Sequence, residues 1–180
     1  MPESGRKSPH VIRTVRIPSS LDKRLRDIAV DRQTSVNFLA EAALTKFADF
    51  DSHTEEFNYA VVKKAFLAKA LEYLTDEEAR DLGDWAGRGL GLENVRYYYP
   101  KADLDAVLST YQNIGARYAR MYTFRHDVEG NLHIIRLNHN MGMKWSIFYD
   151  AQMKGIFDEI LGIKLDTELS TNLVTARFKK

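Results

Sequence analysis

The chain has 180 residues, 44% of them hydrophobic and 28% charged, with a formal net charge of +1 and no cysteine. Such proportions belong to a soluble globular protein, and the lack of cysteine excludes disulfides, thiolate metal sites and cysteine nucleophiles. No run approaches the ~20 apolar residues of a membrane span, and the polar start "MPESGRKSPH" lacks the apolar stretch of a signal peptide, so a cytoplasmic protein with no membrane partner is expected.

Charge is unevenly spread. Residues 1–33 hold eight Lys and Arg against four acids, which leaves the remainder acidic. A basic end on a near-neutral chain is the asymmetry expected where that end meets a polyanion. Residues 1–10 read as a disordered basic arm carrying Arg6 and Lys7 among Gly, Ser and Pro. From Thr14 to Ile17 polar and apolar residues alternate, which predicts a short strand with Val15 and Ile17 on one face and Thr14 and Arg16 on the other. Pro18 ends it, and Ser19 or Ser20 can cap a helix in which Leu21, Leu25, Ile28 and Ala29 recur at helical spacing. "RQTS" is a tight turn, with Thr34 or Ser35 capping a second helix that carries Phe38, Leu39, Ala42, Ala43 and Phe47 on its apolar face.

A segment of about 35 residues cannot bury enough surface to offset its own ordering entropy, and a lone strand leaves its backbone groups unpaired. Two copies that pair strands antiparallel and interlock helices would solve both problems. "RTVRIPSSLDKRLRDIAVDRQTSVNFLAEAALTKF" resembles the ribbon-helix-helix DNA-binding domain of the Arc and methionine-repressor type. The likeness covers about a fifth of the chain and rests on pattern: alternating strand, polar cap, Leu-x3-Leu-x2-Ile, a turn ending in Ser, then an apolar helix. It implies an obligate homodimer whose two-stranded ribbon reads the major groove of double-stranded DNA. The groove-facing residues it implies are Ile12, Thr14 and Arg16, and its phosphate anchor at the start of the second helix falls on Ser35, with Thr34 and Asn37 adjacent. Arg13, Arg6 and Lys7 would add phosphate contacts. The glycine usual in the inter-helix turn is replaced by Gln33 and Thr34. Chemically, Arg16 can donate a bond pair to guanine, and amides at a helix start suit a phosphate.

"ADFDSHTEEF" is a polar break, which divides the chain into the arm at 1–10, a DNA-binding module at 11–50 and a larger part at 55–180. There, one helix is expected over Phe57–Leu74, and "TDEE" fits a capping box that starts another. "GRGLG" is expected to stop that helix as a turn, since it lacks the spacing and lysine of a phosphate loop. "NVRYYYP" looks like a strand, with an aromatic and basic character like that of single-strand stacking platforms. A helix from Leu104 to Tyr118 follows, then strands over Met121–His126 and Leu132–His139 joined by "DVEGN", an amphipathic helix from Trp145, and strands "IKLDTEL" and "NLVTARF". The order βαββαββ points to an α+β, ferredoxin-like domain with one added strand.

With a two- or four-residue hairpin loop His126 is expected to face His133, with His139 on the same side, a set that could hold zinc, nickel or copper. A polar pair at a sheet end explains the same residues, and nickel-responsive members of the resembled family use histidine with cysteine, which this chain lacks. Tyr122, Phe124, Trp145, Phe148 and Tyr149 could line a small-molecule pocket or simply form core. No catalytic set stands out, and no cofactor is required, although a metal or small-molecule effector stays open. The expected function is thus a homodimeric, cytoplasmic transcriptional regulator, by default a repressor, with a C-terminal domain for ligand sensing or further oligomerisation. The rivals are an antitoxin of a toxin–antitoxin pair, and a ligand-binding protein that uses the N-terminal segment only to dimerise.

Overall fold

The structure, a computed structural model, describes residues 11–54 and 58–180, and the expected basic arm with Arg6 and Lys7 lies outside them. The fold is α+β, in two compact units, Met1–Ser52 and His53–Lys180.

In the N-terminal unit α1 (Ser19–Asp31) and α2 (Val36–Asp49) form a helical hairpin. Helix α1 begins directly after Pro18, whose backbone is extended, so Ser19 and Ser20 lie inside the first turn and no side chain caps it. The turn closes without a glycine. Gln33 adopts a left-handed φ of 51°, its N–H donates to Val30 O at 3.0 Å, and the Thr34 N–H donates to Ala29 O at 2.9 Å. These two bonds make a Schellman closure, with glutamine in the place glycine fills at less cost. Ser35 then caps α2, its hydroxyl accepting from the Phe38 N–H at 3.1 Å. Residues 11–18, where a strand is expected, belong to no sheet in the single chain, and every one of them is exposed. A strand needs a partner for its backbone groups, and one chain holds none among the described residues.

The larger unit departs from the sequence reading in its first half. Asn58 is left-handed and the expected long helix shrinks to α3 (Lys64–Glu72). Helix α4 (Asp76–Ala86) opens with the capping box, Thr75 and Glu78 bonding reciprocally. "GRGLG" does not stop it. Gly87–Gly91 continues as a π-helical stretch into α5 (Leu92–Tyr98), so "NVRYYYP" is helix, not strand. Val95 is buried in the core and Tyr99 packs against it four residues on, a helical spacing that the β-favouring aromatics conceal. The glycines have a packing role. A Cβ on Gly83 would collide with the Phe148 carbonyl oxygen, one on Gly87 with the Gln152 carbonyl oxygen, and one on Gly91 with the Ile156 side chain. Four residues overshoot a 3.6-residue α-turn and fall short of the wider π-turn, so the π stretch keeps the third glycine against the same neighbour. Helix α6 (Leu104–Ser109) likewise continues as a π stretch, Thr110–Tyr118, close to the expected bounds.

A four-stranded antiparallel sheet follows, in the order β1 (Thr123–Glu129), β2 (Leu132–Asn138), β4 (Leu173–Lys179), β3 (Asp166–Ser170). Helix α7 (Met143–Leu161) joins the two hairpins and ends at left-handed Gly162. With "NVRYYYP" helical, the ferredoxin-like βαββαββ order is replaced by ββαββ. One sheet face, with Ile135, Leu137, Val174, Ala176 and Phe178, forms the core with Met153 and Phe157 of α7. The other face is polar. There Arg136 lies 2.6 Å and Arg125 2.9 Å from Asp127, and together they hold its carboxyl below the usual range.

Candidate nucleic-acid interface

Ile12, Arg13, Thr14 and Arg16 are all exposed to solvent, Ile12 at 91%. Neither arginine takes part in an ion pair among the described residues, so both guanidinium groups remain available to an anion. At the start of α2, Ser35 and Asn37 are exposed and Thr34 is half-buried. No acidic residue occupies the first turn of α2, which leaves the positive end of the helix dipole uncompensated. Ser35 spends its hydroxyl oxygen on the helix cap, while its O–H stays free to donate. The unit thus presents two arginines and an uncompensated helix start.

Much of its apolar surface is open as well, although Leu21, Leu25, Val36, Leu39 and Phe50 are half-buried. Among the described residues of this unit Ala29 alone is buried, whereas Leu44 is 63% and Phe47 61% exposed, and Val11, Val15, Ile17, Ile28, Val30 and Phe38 are exposed too. Leu44 and Phe47, three apart on one helix, share a face.

In the larger unit two of the three candidate metal-binding histidines come together. His126 Nε2 and His133 Nδ1 are 2.9 Å apart, the rings stack at 5.1 Å, and His133 stacks in turn on Phe178. Their register differs from the expectation. The hairpin turns at Gly130 and Asn131, so Val128 faces His133 and Ile135 faces His126, and the two rings meet diagonally. Desolvation and the neighbouring imidazole lower the pKa of His126. His139 lies beyond the far end of β2, and no set of three metal-ligating side chains forms among the described residues.

His139 instead belongs to a buried chain of hydrogen bonds. Its Nδ1 accepts from the Met141 N–H at 3.1 Å, so Nε2 carries the proton and meets Ser146 Oγ at 3.0 Å. Ser146 donates onward to the Ser170 carbonyl at 2.6 Å. Burial, with Lys64 adding to it, pushes the imidazole down to about 4. A histidine that donates to a serine already committed to a carbonyl does not activate that serine. The chain ties β2, α7 and β3 together.

The five aromatic pocket candidates do gather. Trp145, Phe148 and Tyr149 lie 5.0–5.4 Å from one another, Tyr122 meets Tyr149 edge-on at 5.3 Å, and Phe124 stacks on Tyr111. They pack as core, and Gly115 leaves the space that the Tyr122 hydroxyl fills. Tyr122 also lines a cleft, with residues that sequence reasoning had not joined: Lys64, Arg120 and Asn140. These lie far apart in sequence, and only the fold brings them together. The tyrosines of "RYYYP" form no stacking row, since Tyr97 and Tyr98 pack edge-to-face with each other and with His53.

No family model matches the chain, and no curated protein is significantly similar to it.

Proposed function

We propose that the chain is a homodimeric, sequence-specific DNA-binding transcriptional regulator of the ribbon-helix-helix kind. In this reading residues 11–18 pair antiparallel with the same segment of a second copy. Val15 and Ile17 enter a shared core, Ile12, Thr14 and Arg16 face the major groove, and Ser35 with Asn37 and the α2 amides meets a phosphate. Promoter occlusion is the default mode of action, in the cytoplasm.

The observation that carries the reading is the exposure of Val11, Ile12, Val15, Ile17, Ile28, Val30, Phe38, Leu44 and Phe47 in the N-terminal unit, where Leu21, Leu25, Val36, Leu39 and Phe50 are only half-buried and Ala29 alone is buried among those described. Its α1–α2 turn and α2 cap are fully formed nonetheless. A hairpin with a finished turn and a largely open apolar surface is what half of an interlocked dimer requires, because apolar patches of this extent are seldom left in water.

Sedimentation of the full chain, followed by genome-wide recovery of bound sites and titration of a recovered duplex at two salt concentrations, tests it. A dimer is expected, with duplex affinity that falls steeply with salt. Arg16→Ala should preserve the dimer and lose about 1–3 kcal/mol of base discrimination. A monomer, or a dimer indifferent to every duplex, would refute the proposal, and the latter result would favour a ligand-binding protein with a dimerisation arm.

A further inference from the structure

Two clefts of the larger unit have their charges arranged differently. The wider, about 820 Å³ beside α4 and α7, is lined by acids and bases that largely satisfy one another: Arg88 pairs with Asp84, and Lys154 with Asp150. The smaller, about 380 Å³, lies where β1 and β2 end away from their turn, at the paired residues Thr123 and Asn138. Lys64 and Arg120 line it, and no carboxylate does. Arg120 forms no ion pair among the described residues. The Lys64 ammonium donates once, to the His139 carbonyl at 3.1 Å, which leaves two of its three N–H groups unused. Lys64 is also the first residue of α3, a helix that no side chain caps.

The backbone adds a second, independent sign. Arg120 and Asn140, both lining this cleft, adopt left-handed φ values of 54° and 55°. Asparagine accepts that conformation readily, whereas an arginine Cβ crowds the following carbonyl there. Strain of this sort persists where the surroundings impose it and gathers at binding sites. The His139 ring does not compete for a ligand, because both of its nitrogens are engaged.

We propose that this cleft binds a small organic anion, a carboxylate or phosphate ester, with the Arg120 guanidinium and the Lys64 ammonium holding its charge. Thr123, Asn138 and Asn140 supply hydrogen bonds to its remaining polar groups. The volume is near the lower end for small-molecule sites, which suits a metabolite rather than a nucleotide cofactor. A planar guanidinium matches two oxygens of either anion class in a bidentate bond. All of these residues belong to the larger unit, so the inference stands apart from the DNA-binding reading.

The test titrates the full chain, in separate arms, with inorganic phosphate and with succinate, chloride holding the ionic strength constant, and follows backbone amide shifts. Saturable shifts of Thr123, Asn138 and Asn140 are expected in at least one arm, and which arm saturates distinguishes phosphate from carboxylate. Arg120→Gln and Lys64→Gln should each weaken the binding by about tenfold or more, while melting in chloride alone identifies any variant that misfolds. Because the two substitutions lie on different elements, either one suffices if the other misfolds. Absence of saturation with both probes, or full affinity in a folded variant, would overturn the assignment.

Discussion

In the larger unit Phe157, Ile135, Leu137 and Val174 are sealed from water, packed between the sheet and α7. In the N-terminal unit Phe38, Leu44 and Phe47 stand in solvent, although α2 is patterned no less apolar than a core helix. The contrast teaches that an amphipathic pattern specifies a core without saying how many chains build it. One unit closes upon itself. The other has its inter-helix turn and its α2 cap complete, yet leaves Phe38, Leu44 and Phe47 open to water.

Truncating one ring on each side probes the contrast most strongly. Phe157→Ala should destabilise the larger unit by about 3–5 kcal/mol through the cavity it leaves, independent of protein concentration. In a monomer Phe47→Ala would change almost nothing, since Phe47 is mostly exposed. In the proposed dimer it should cost a few kcal/mol, and the loss should vary with concentration in urea melts. A concentration-independent, near-zero effect of Phe47→Ala would erase the difference drawn here.

Acid sharpens the comparison further. The folded His139 titrates near 4, against 6.5 for an ordinary histidine. Its stabilising contribution is therefore fully present above pH 6.5 and is lost as pH falls towards 4, because the unfolded chain takes up the proton first. The loss should approach about 3 kcal/mol. It belongs to the larger unit, as residues 11–52 contain no histidine. Urea melts from pH 7 to pH 4 should show it, and His139→Asn should start less stable and flatten the slope. An unchanged slope in that variant would assign the acid sensitivity elsewhere.

The smallest effect concerns the glycine face. Gly87→Ala should cost about 1–3 kcal/mol by overpacking against the α7 backbone. Gly89→Ala, with open space around its position, should instead gain up to about 1 kcal/mol from helix propensity. Equal responses in thermal melts would show that this face is not the tight contact described.

Features written in local chemistry were legible in the sequence: the Thr75–Glu78 box, the Ser35 cap, the two hairpins, and α7 with its continuous apolar face. Tyr97, Tyr98 and Tyr99 misled, because adjacent aromatics favour strands, whereas Val95 and Tyr99 already carried a helical spacing. Glycines at 83, 87 and 91 read as helix breakers one by one, and only their four-residue interval points to a packed face. The cleft at Arg120 could not be read in advance, since Lys64, Arg120 and Asn138 meet through tertiary packing. The strand expected at 14–17 is a different case. Its alternation is plain, yet among the described residues of one chain nothing pairs with it.

The row formed by Gly83, Gly87 and Gly91 also limits how the larger unit can vary. At Gly83 and Gly87 the contact is with the α7 backbone itself, which cannot flex to absorb a shift, and only at Gly91 does a side chain, that of Ile156, lie between. One residue inserted between Gly83 and Gly91 would rotate the following turns by about 100° and drive a Cβ into the neighbouring backbone. Changes in chain length should be tolerated only outside this stretch, which makes the two helices one rigid keel beneath the sheet.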